Sequence, residues 1–315
     1  MKKNVVIVGS INLDLVSAAP KIPLKGETLI GTSFASFPGG KGANQAVAAA
    51  RLGTRVSMIG KLGDDAFGAQ LRANLESAGV NTAAVETEST SSGIAQIITA
   101  ENGENVIVVT PGANALVSPQ YVEKHLGVIR NAGIVLTQLE TPLETVEYLA
   151  SVTRKEGIPL VLDPAPARPL PAPLLAQIDW LTPNESETSS LLGLKSQDLR
   201  QEDLEGAAET LLHGGSRNVL LKLGQRGCFL ALADGRRVFL PAYAVRAIDS
   251  TAAGDAFNGA FASALLEGQD PVSCASWASA VAAISVTRRG AQPSMPTNAE
   301  VQAFLREREG TKQPI

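Results

Sequence analysis

The sequence predicts an α/β fold with a doubly wound, largely parallel central sheet and helices on both of its faces. Short β-branched runs recur along the 315 residues, and alanine- or leucine-rich helical stretches lie between many of them. The Pro-rich stretch at 164–173 is too short to be a domain linker. We therefore expect residues 1–315 to form a single domain.

The predicted strands of the main sheet follow the β-branched runs. The first run begins directly after Met1-Lys2-Lys3 and is too short for a secretory signal. At the other end of the chain, we expect residues 306–315 to form a frayed tail. The predicted strands lie at 5–8, 56–59, 134–136, 160–162, 218–221 and 229–232.

Two segments depart from this alternation. Residues 94–99 and 106–109 are apolar strands around Asn102-Gly103, a dipeptide typical of a tight hairpin turn. Residues 12–38 also look extended and loop-rich. If the two segments pair, they form a small β-sheet, which we expect to be a substrate lid spanning roughly 12–38 and 92–112. Its exposed aliphatic faces predict a homodimer, although an ordinary edge hairpin is the alternative.

The composition argues against several classes of partner. The chain has 27 Lys and Arg against 31 Asp and Glu, a net charge of −4, which gives no reason to expect nucleic acid. No stretch approaches the roughly 18 consecutive apolar residues of a membrane helix. Cys228 and Cys274 show neither metal nor disulfide spacing. We expect a cytoplasmic protein with no nucleic-acid or membrane partner.

The strongest chemical signal is Asp249-Ser250-Thr251-Ala252-Ala253-Gly254-Asp255. The small residues Ala252, Ala253 and Gly254 let backbone N–H groups approach an anion at the positive end of a helix dipole. Asp255 would face an incoming hydroxyl and act as its base. Because the ordinary pKa of aspartate is about 3.9, this base would mainly align the nucleophile. The alternative is that Asp249 and Ser250 cap the helix and Asp255 complements its dipole.

A second signal is the glycine-rich run Pro38-Gly39-Gly40-Lys41-Gly42-Ala43-Asn44. It is not a Walker A loop, because Lys41 is followed by Gly42 and not by Ser or Thr. It predicts a glycine-lined floor for a hydroxyl-rich ligand, with the Asn44 amide able to donate and to accept hydrogen bonds.

Two polar residues, Asn12 and Asp14, follow the first predicted strand. The Asp14 carboxylate there suits two sugar hydroxyls, although a simple turn role is about as common for such a residue. Its combination with the glycine run favours sugar binding.

Two weaker signals concern a nucleotide. Asn184 and Glu187 are three residues apart, a spacing that suits holding water on a phosphate-bound Mg²⁺ and equally suits a helix capping box. The run at 222–227 ends a predicted strand with two glycines and suits an approach to phosphates or to a base edge.

Together, the glycine run and the 249–255 motif with Asn258-Gly259 resemble the two signatures of the PfkB, or ribokinase-like, carbohydrate kinase family. Segments 9–14, 138–140, 163–168 and 287–293 extend the resemblance over nearly the whole chain. It implies an ATP-dependent kinase whose first candidate substrate is D-ribose, phosphorylated at its 5-hydroxyl. It also implies an anion hole at Ala252, Ala253, Gly254 and Asp255.

The resemblance also implies three sets of binding residues. Sugar contacts would come from Asn12, Asp14, Gly40, Lys41, Gly42, Ala43, Asn44, Glu140 and Asp255. The ATP site would comprise Asn184, Lys222, Leu223, Gly224, Gln225, Arg226, Gly227, Gly254, Asp255 and Ser279. Glu187 is added to this set because its spacing from Asn184 suits holding water on a phosphate-bound Mg²⁺. An activating K⁺ would be held, in part by backbone carbonyls, by Asp249, Thr251, Ser285, Arg288, Gly290 and Ser294.

Two residues depart from the family pattern, and the substrate stays open. Ser279 stands where the family often has a histidine beside the adenine, and Lys222 replaces a smaller polar residue. The alternatives are deoxyribose, another sugar, a sugar phosphate, a nucleoside, or a non-catalytic sensor. A nucleoside would favour aromatic stacking, for which only Phe34 and Phe37 are near the predicted lid. A sugar phosphate would favour Arg clamps, and the intact Asp255 argues against a sensor.

Overall fold

The computed structural model describes residues 4–194 and 199–309. Its strands are β1 (Asn4–Val8), β2 (Asn12–Ala19), β3 (Ser33–Gly39), β4 (Val56–Gly63), β5 (Val80–Glu88), β6 (Gly93–Ala100), β7 (Asn105–Thr110), β8 (Ala132–Thr137), β9 (Leu160–Leu162), β10 (Trp180–Leu181), β11 (Asn218–Lys222), β12 (Gly227–Ala231) and β13 (Arg237–Pro241). Its helices are α1 (Lys41–Arg51), α2 (Ala66–Ser77), α3 (Pro119–Lys124), α4 (Leu126–Arg130), α5 (Leu143–Glu156), α6 (Ala172–Leu175), α7 (Glu185–Leu191), α8 (Leu204–His213), α9 (Ala253–Leu266), α10 (Pro271–Ser285) and α11 (Asn298–Glu309).

The main sheet of the described residues has nine strands in the order β13-β12-β11-β10-β9-β8-β1-β4-β5. Neighbouring strands from β11 to β5 are parallel, whereas β12 and β13 join antiparallel at one edge. The predicted doubly wound α/β class is therefore confirmed.

The core lies on both faces of this sheet. Successive side chains of a strand point to opposite faces, so Val5 and Ile7 pack with α1, α2, α9 and α10, whereas Val6 and Val8 pack with α3, α5 and α8. All four residues are fully buried. A parallel strand covered on both faces reads as a continuous apolar run, which explains why β1 was visible in the sequence.

A second, four-stranded sheet has the order β3-β2-β6-β7 and confirms the predicted small sheet. Strands β6 and β7 pair antiparallel, and Gly103 in their turn has a φ of +86°. Asn12, the first residue of β2, pairs with Gly39, the last residue of β3. The base of the small sheet therefore brings the two predicted sugar-binding segments together. Its role as a lid and the single-domain division stay predictions.

Some elements differ from the sequence expectation. The patterns did not predict β5, β10 or β13. Residues 306–309 continue helix α11, so the expected fraying is wrong there, and residues 310–315 lie outside the described residues. Among the described helices, none has the length and apolarity needed to cross a membrane.

Candidate active site

Helix α9 begins without a side-chain cap. Its N-cap residue is Ala252, which lies in the left-handed region with a φ of 58° and a ψ of 16°. The Asp249 carboxylate instead accepts hydrogen bonds from the backbone N–H groups of Thr251, at 2.9 Å, and Gly290, at 2.8 Å. The interpretation of Asp249 and Ser250 as the helix cap is therefore wrong. The Ala253 N–H donates to the Ser250 carbonyl at 3.2 Å, whereas the N–H groups of Gly254 and Asp255 lack intrahelical acceptors, as at any helix start, and suit an anion.

Asp255 lies in the first turn of α9 and is 6% exposed. Its Oδ2 accepts a hydrogen bond from the Asn44 amide at 2.9 Å, and its Oδ1 accepts one from the Gln45 amide at 3.1 Å. The close packing of α9 on α1 makes this possible, because a Cβ on Gly259 would lie 2.6 Å from the Gln45 carbonyl oxygen.

The pKa of the Asp255 carboxyl is raised to about 6. Burial is the main cause, and the Lys41 ammonium opposes it, while the carboxylates of Asp163 and Glu140 add to it. The higher pKa makes Asp255 a better proton acceptor than an ordinary aspartate. It stays far below the pKa of an alcohol, so the alignment of the nucleophile, with late proton transfer, stays a prediction.

The glycine run supplies a polar floor beside Asp255. Gly40, with a φ of +85°, turns the chain into α1. Glu140 accepts hydrogen bonds from the backbone N–H of Lys41, at 3.1 Å, and from the Ser10 hydroxyl. The N-terminus of α1 thus fixes a carboxylate that faces the same space as Asp255.

Asn12 is held by a residue that sequence reasoning missed. The Asn114 amide donates to Asn12 Oδ1 at 2.7 Å and to the Ile11 carbonyl at 3.1 Å, and its own oxygen accepts from the Ile11 N–H at 2.9 Å. Asn114 is 1% exposed and follows the β6–β7 hairpin. It therefore links the small sheet to the sugar floor.

Charged side chains of both signs lie at the sugar floor. Burial, followed by the Glu140 and Asp255 carboxylates, raises the pKa of Asp14 to about 7. Burial by itself would lower the pKa of the Lys41 ammonium, but the carboxylates of Asp255, Asp163 and Glu140 outweigh it and raise that pKa. Lys41 is therefore charged at neutral pH and balances part of the negative charge.

A cavity of about 550 Å³ opens on the other side of the α9 N-terminus. Six predicted nucleotide residues line it: Lys222, Gly224, Gln225, Gly227, Gly254 and Ser279. Its remaining lining is largely apolar and includes Tyr243, Val245, Phe257, Ala283 and Val286, which sequence reasoning did not identify. A largely apolar cavity that reaches a helix N-terminus suits a purine nucleotide.

Other predicted nucleotide residues lie outside that lining. The Leu223 side chain is buried in the core, and the Arg226 guanidinium bonds to Glu185 and to the Leu199 carbonyl, each at 2.6 Å. Asn184 and Glu187 form the capping box of α7, which confirms that reading of their spacing. Burial is the main cause that raises the pKa of Glu187, and the nearby Lys222 opposes it.

The predicted cation ligands lie on two segments, one at 249–251 and the other at 285–294. The Asp249 carboxylate joins the two segments through its hydrogen bond from the Gly290 N–H. The Arg288 guanidinium bonds to Glu300, so only its backbone carbonyl is available to a cation. The hydroxyls of Ser285 and Ser294 donate to the carbonyls of Ala282 and Ala291.

Four further polar residues surround the base. Gln45, Gln138, Asp163 and Gln292 are each no more than 3% exposed and bond to Asp255 or to its partners. Gln138, Asp163 and Gln292 belong to segments that match the family, and Gln45 directly follows the glycine run, but a sequence pattern does not show the contacts from which to assign them a role.

The fold and the site together define a class of protein. The polar floor for a sugar and the cavity for a nucleotide meet at the buried Asp255 carboxylate and the N-terminus of α9. This is the arrangement of a kinase that acts on a small molecule. The profile of the pfkB family carbohydrate kinases matches residues 2–298. The chain belongs to this family and is an ATP-dependent carbohydrate kinase.

Individual members of the family are similar to this chain over nearly its whole length. A ribokinase of Haemophilus influenzae is 41% identical over 306 residues, covering 97% of this chain and 99% of the relative. A deoxyribokinase of Salmonella typhi is 36% identical over 304 residues, covering 96% of this chain and 98% of the relative. The structure of Arabidopsis thaliana ribokinase complexed with ribose and ATP has a TM-score of 0.90 and 34% identity, and covers 97% of this chain and 99% of that chain.

Proposed function

We propose that this chain transfers the γ-phosphoryl group of ATP to the 5-hydroxyl of D-ribose, giving D-ribose 5-phosphate and ADP. The observation that carries this proposal is the buried Asp255 carboxylate, placed between the sugar floor and the nucleotide cavity. The similarity to ribokinases over nearly the whole chain supports D-ribose as the sugar. The deoxyribokinase relative makes 2-deoxy-D-ribose the second candidate.

In the proposed reaction, Asn12, Asp14, Asn44, Glu140 and the backbone at 40–43 hold the sugar, and Asp255 accepts the hydroxyl proton late in the transfer. The hydroxyl oxygen forms a bond to the γ-phosphorus as the bond to ADP breaks. Backbone N–H groups at the start of α9 stabilise the negative charge on the transferring oxygens.

Mg²⁺ fits the site through water. Each Glu187 carboxylate oxygen accepts one N–H of Asn184, which leaves a lone pair on each oxygen for a water molecule. When bound to ATP, Mg²⁺ neutralises phosphate charge. Asn184 and Glu187 would orient its water shell.

The loops at Asp249 and Gly290 fit a monovalent cation, because the Asp249 carboxylate fixes two carbonyl-bearing segments beside the anion hole. We therefore expect higher kcat in potassium than in sodium buffers. Equal rates in the two buffers would refute this part of the proposal.

The substrate is tested by ADP release over a panel of pentoses, hexoses and nucleosides. We expect the highest kcat/KM for D-ribose, and a loss of about 10²- to 10⁴-fold in Asp255→Asn, which removes the proton acceptor. A panel with no sugar-dependent ADP release, or full activity in the variant, would reject the mechanism. A higher kcat/KM for 2-deoxy-D-ribose would select the second candidate.

We also propose a homodimer formed through the small sheet. Edge strand β7 exposes four consecutive aliphatic residues, of which Ile107 is 52% and Val108 is 56% exposed. Such a surface favours association with a second copy. Light scattering after size exclusion should give a dimer that Ile107→Lys dissociates and that Leu194→Lys, at an exposed site outside the sheet, leaves intact. A monomeric wild type at micromolar concentration would contradict this.

We propose a cytoplasmic location, because Cys228 and Cys274 are free, buried thiols. Cell fractionation with activity measurement tests it, and activity confined to an extracellular fraction would refute it.

A further inference from the structure

We propose that Asp163 is a positioning residue that fixes Lys222 at the phosphate end of the site and, through the Gln45 amide, Asp255 at the hydroxyl end. This inference rests on the proposed kinase function and adds to it a physical link between the two reacting ends. Asp163 itself is not among the sugar, nucleotide or cation residues proposed above.

The link begins at the Gln45 amide, which uses both of its hydrogens on carboxylates. It donates to Asp255 Oδ1 at 3.1 Å and to Asp163 Oδ2 at 2.9 Å. Its oxygen accepts a hydrogen bond from the Gln138 amide. The reverse orientation would place the Gln45 oxygen against two carboxylates, so this orientation is the one that pairs every hydrogen and the oxygen of the Gln45 amide. Gln45 is fully buried, and the two aspartates are 1% and 6% exposed.

The second half of the link is an ion pair. Asp163 Oδ1 accepts a hydrogen bond from the Lys222 ammonium at 2.8 Å, and Lys222 is 9% exposed. The ammonium lies 3.5 Å from the position that a Cβ on Gly254 would occupy, beside the N-terminus of α9. Lys222 also lines the nucleotide cavity. Its charge therefore faces the place where the phosphates enter.

A buried ion pair is weak support for fold stability by itself, because desolvation offsets much of the attraction. Here the pair connects the phosphate-facing cation to the base through one fixed amide. The charged groups that face Asp255 are Lys41, Asp163, Glu140 and Asp14. Of these four, Asp163 is the one that also bonds to Lys222.

The test compares Asp163→Asn, Lys222→Met and the double variant with the wild type, using kcat, the pH profile of kcat/KM for the sugar, and thermal unfolding. In Asp163→Asn the amide cannot accept from both Gln45 and Lys222. We expect kcat to fall about a hundredfold, as for a misplacement of about 1 Å, while KM for the sugar is retained.

The pH profiles should move in opposite directions. The acid limb of each profile is the range in which kcat/KM falls as Asp255 becomes protonated. The Asp163 charge raises the pKa of Asp255, so removing that charge moves the acid limb to lower pH. Lys222→Met leaves the Asp163 charge without its partner, so the limb moves to higher pH. The double variant carries neither charge, so it should fold even where a single variant does not. Its limb should lie between those of the single variants, with a reduced kcat.

Lys61→Met is the matched control, because it breaks an ion pair between the buried Lys61 and the half-buried Glu88 that lies outside the link. We expect a lower unfolding temperature and an unmoved acid limb. The inference is overturned if the limbs of the Asp163 and Lys222 variants coincide with that of the wild type, or if the double variant keeps the wild-type kcat. If instead the wild type itself shows no sugar-dependent ADP release, the proposed function fails and this failure is recognised separately.

Discussion

Replacing Gly39 by Ala tests how closely the sugar floor is fitted around Asp14. A Cβ at position 39 would lie 2.5 Å from Cγ of Asp14, whereas an unstrained contact needs about 3.5 Å, so the carboxylate must move by about 1 Å. A hydrogen bond to a charged group contributes about 1.5 to 3 kcal/mol. If the shift breaks one such bond to the sugar, KM for the sugar should rise about 10- to 150-fold, at about 1.4 kcal/mol for each factor of ten.

Steady-state kinetics with the sugar and with ATP varied in turn would measure this change. KM for ATP should stay the same, because neither Gly39 nor Asp14 lines the nucleotide cavity. Thermal stability should change little, since the displaced group is the end of a flexible side chain. Gly127→Ala is the control, because no atom lies within 4 Å of its new Cβ. An unchanged KM for the sugar in Gly39→Ala would refute the placement of Asp14 against bound sugar.

Three further predictions concern the base, the helix start and the small sheet. Because the pKa of Asp255 is about 6 and the base must be deprotonated, kcat/KM should fall as the pH drops through about 6, and a flat profile from pH 5 to 8 would contradict this. Ala252→Val should lower the free energy of unfolding by about 1 to 3 kcal/mol and reduce kcat, because a β-branched residue adds strain at a φ of 58°; denaturant titration that shows no loss would count against it. Asn114→Leu leaves the Ile11 backbone and Asn12 Oδ1 without partners, so the free energy of unfolding should fall by at least about 2 kcal/mol and KM for the sugar should rise. Calorimetry and kinetics would measure the two effects, and an unchanged KM would show that Asn114 does not support sugar binding.

The sequence was most informative where a local pattern has one physical solution. Strands such as β1 and β8 contain runs of consecutive apolar residues because a parallel sheet buries both faces, and Asn102-Gly103 predicted the hairpin turn. It was less informative for β10, with two residues, and for β13, whose mixed exposure follows from its position at the sheet edge.

The same distinction holds for the site. The motifs predicted Asp255, the glycine floor and six of the residues that line the nucleotide cavity, since small residues and a carboxylate at a helix start carry their chemistry locally. The strained Ala252 start and the raised pKa of Asp255 depend on the surroundings, so no local pattern could predict them.

By itself, the sequence determined the class of fold, the small sheet and the residue types that phosphoryl transfer needs. The tertiary structure alone decided which of them meet. Gln45 is 118 residues from Asp163 and 210 from Asp255. Packing of α9 on α1 across Gly259 brings Gln45 to Asp255, and Asp163 reaches Gln45 from the end of β9. Contacts over such separations depend on how whole elements pack, which the order of residues along the chain does not state.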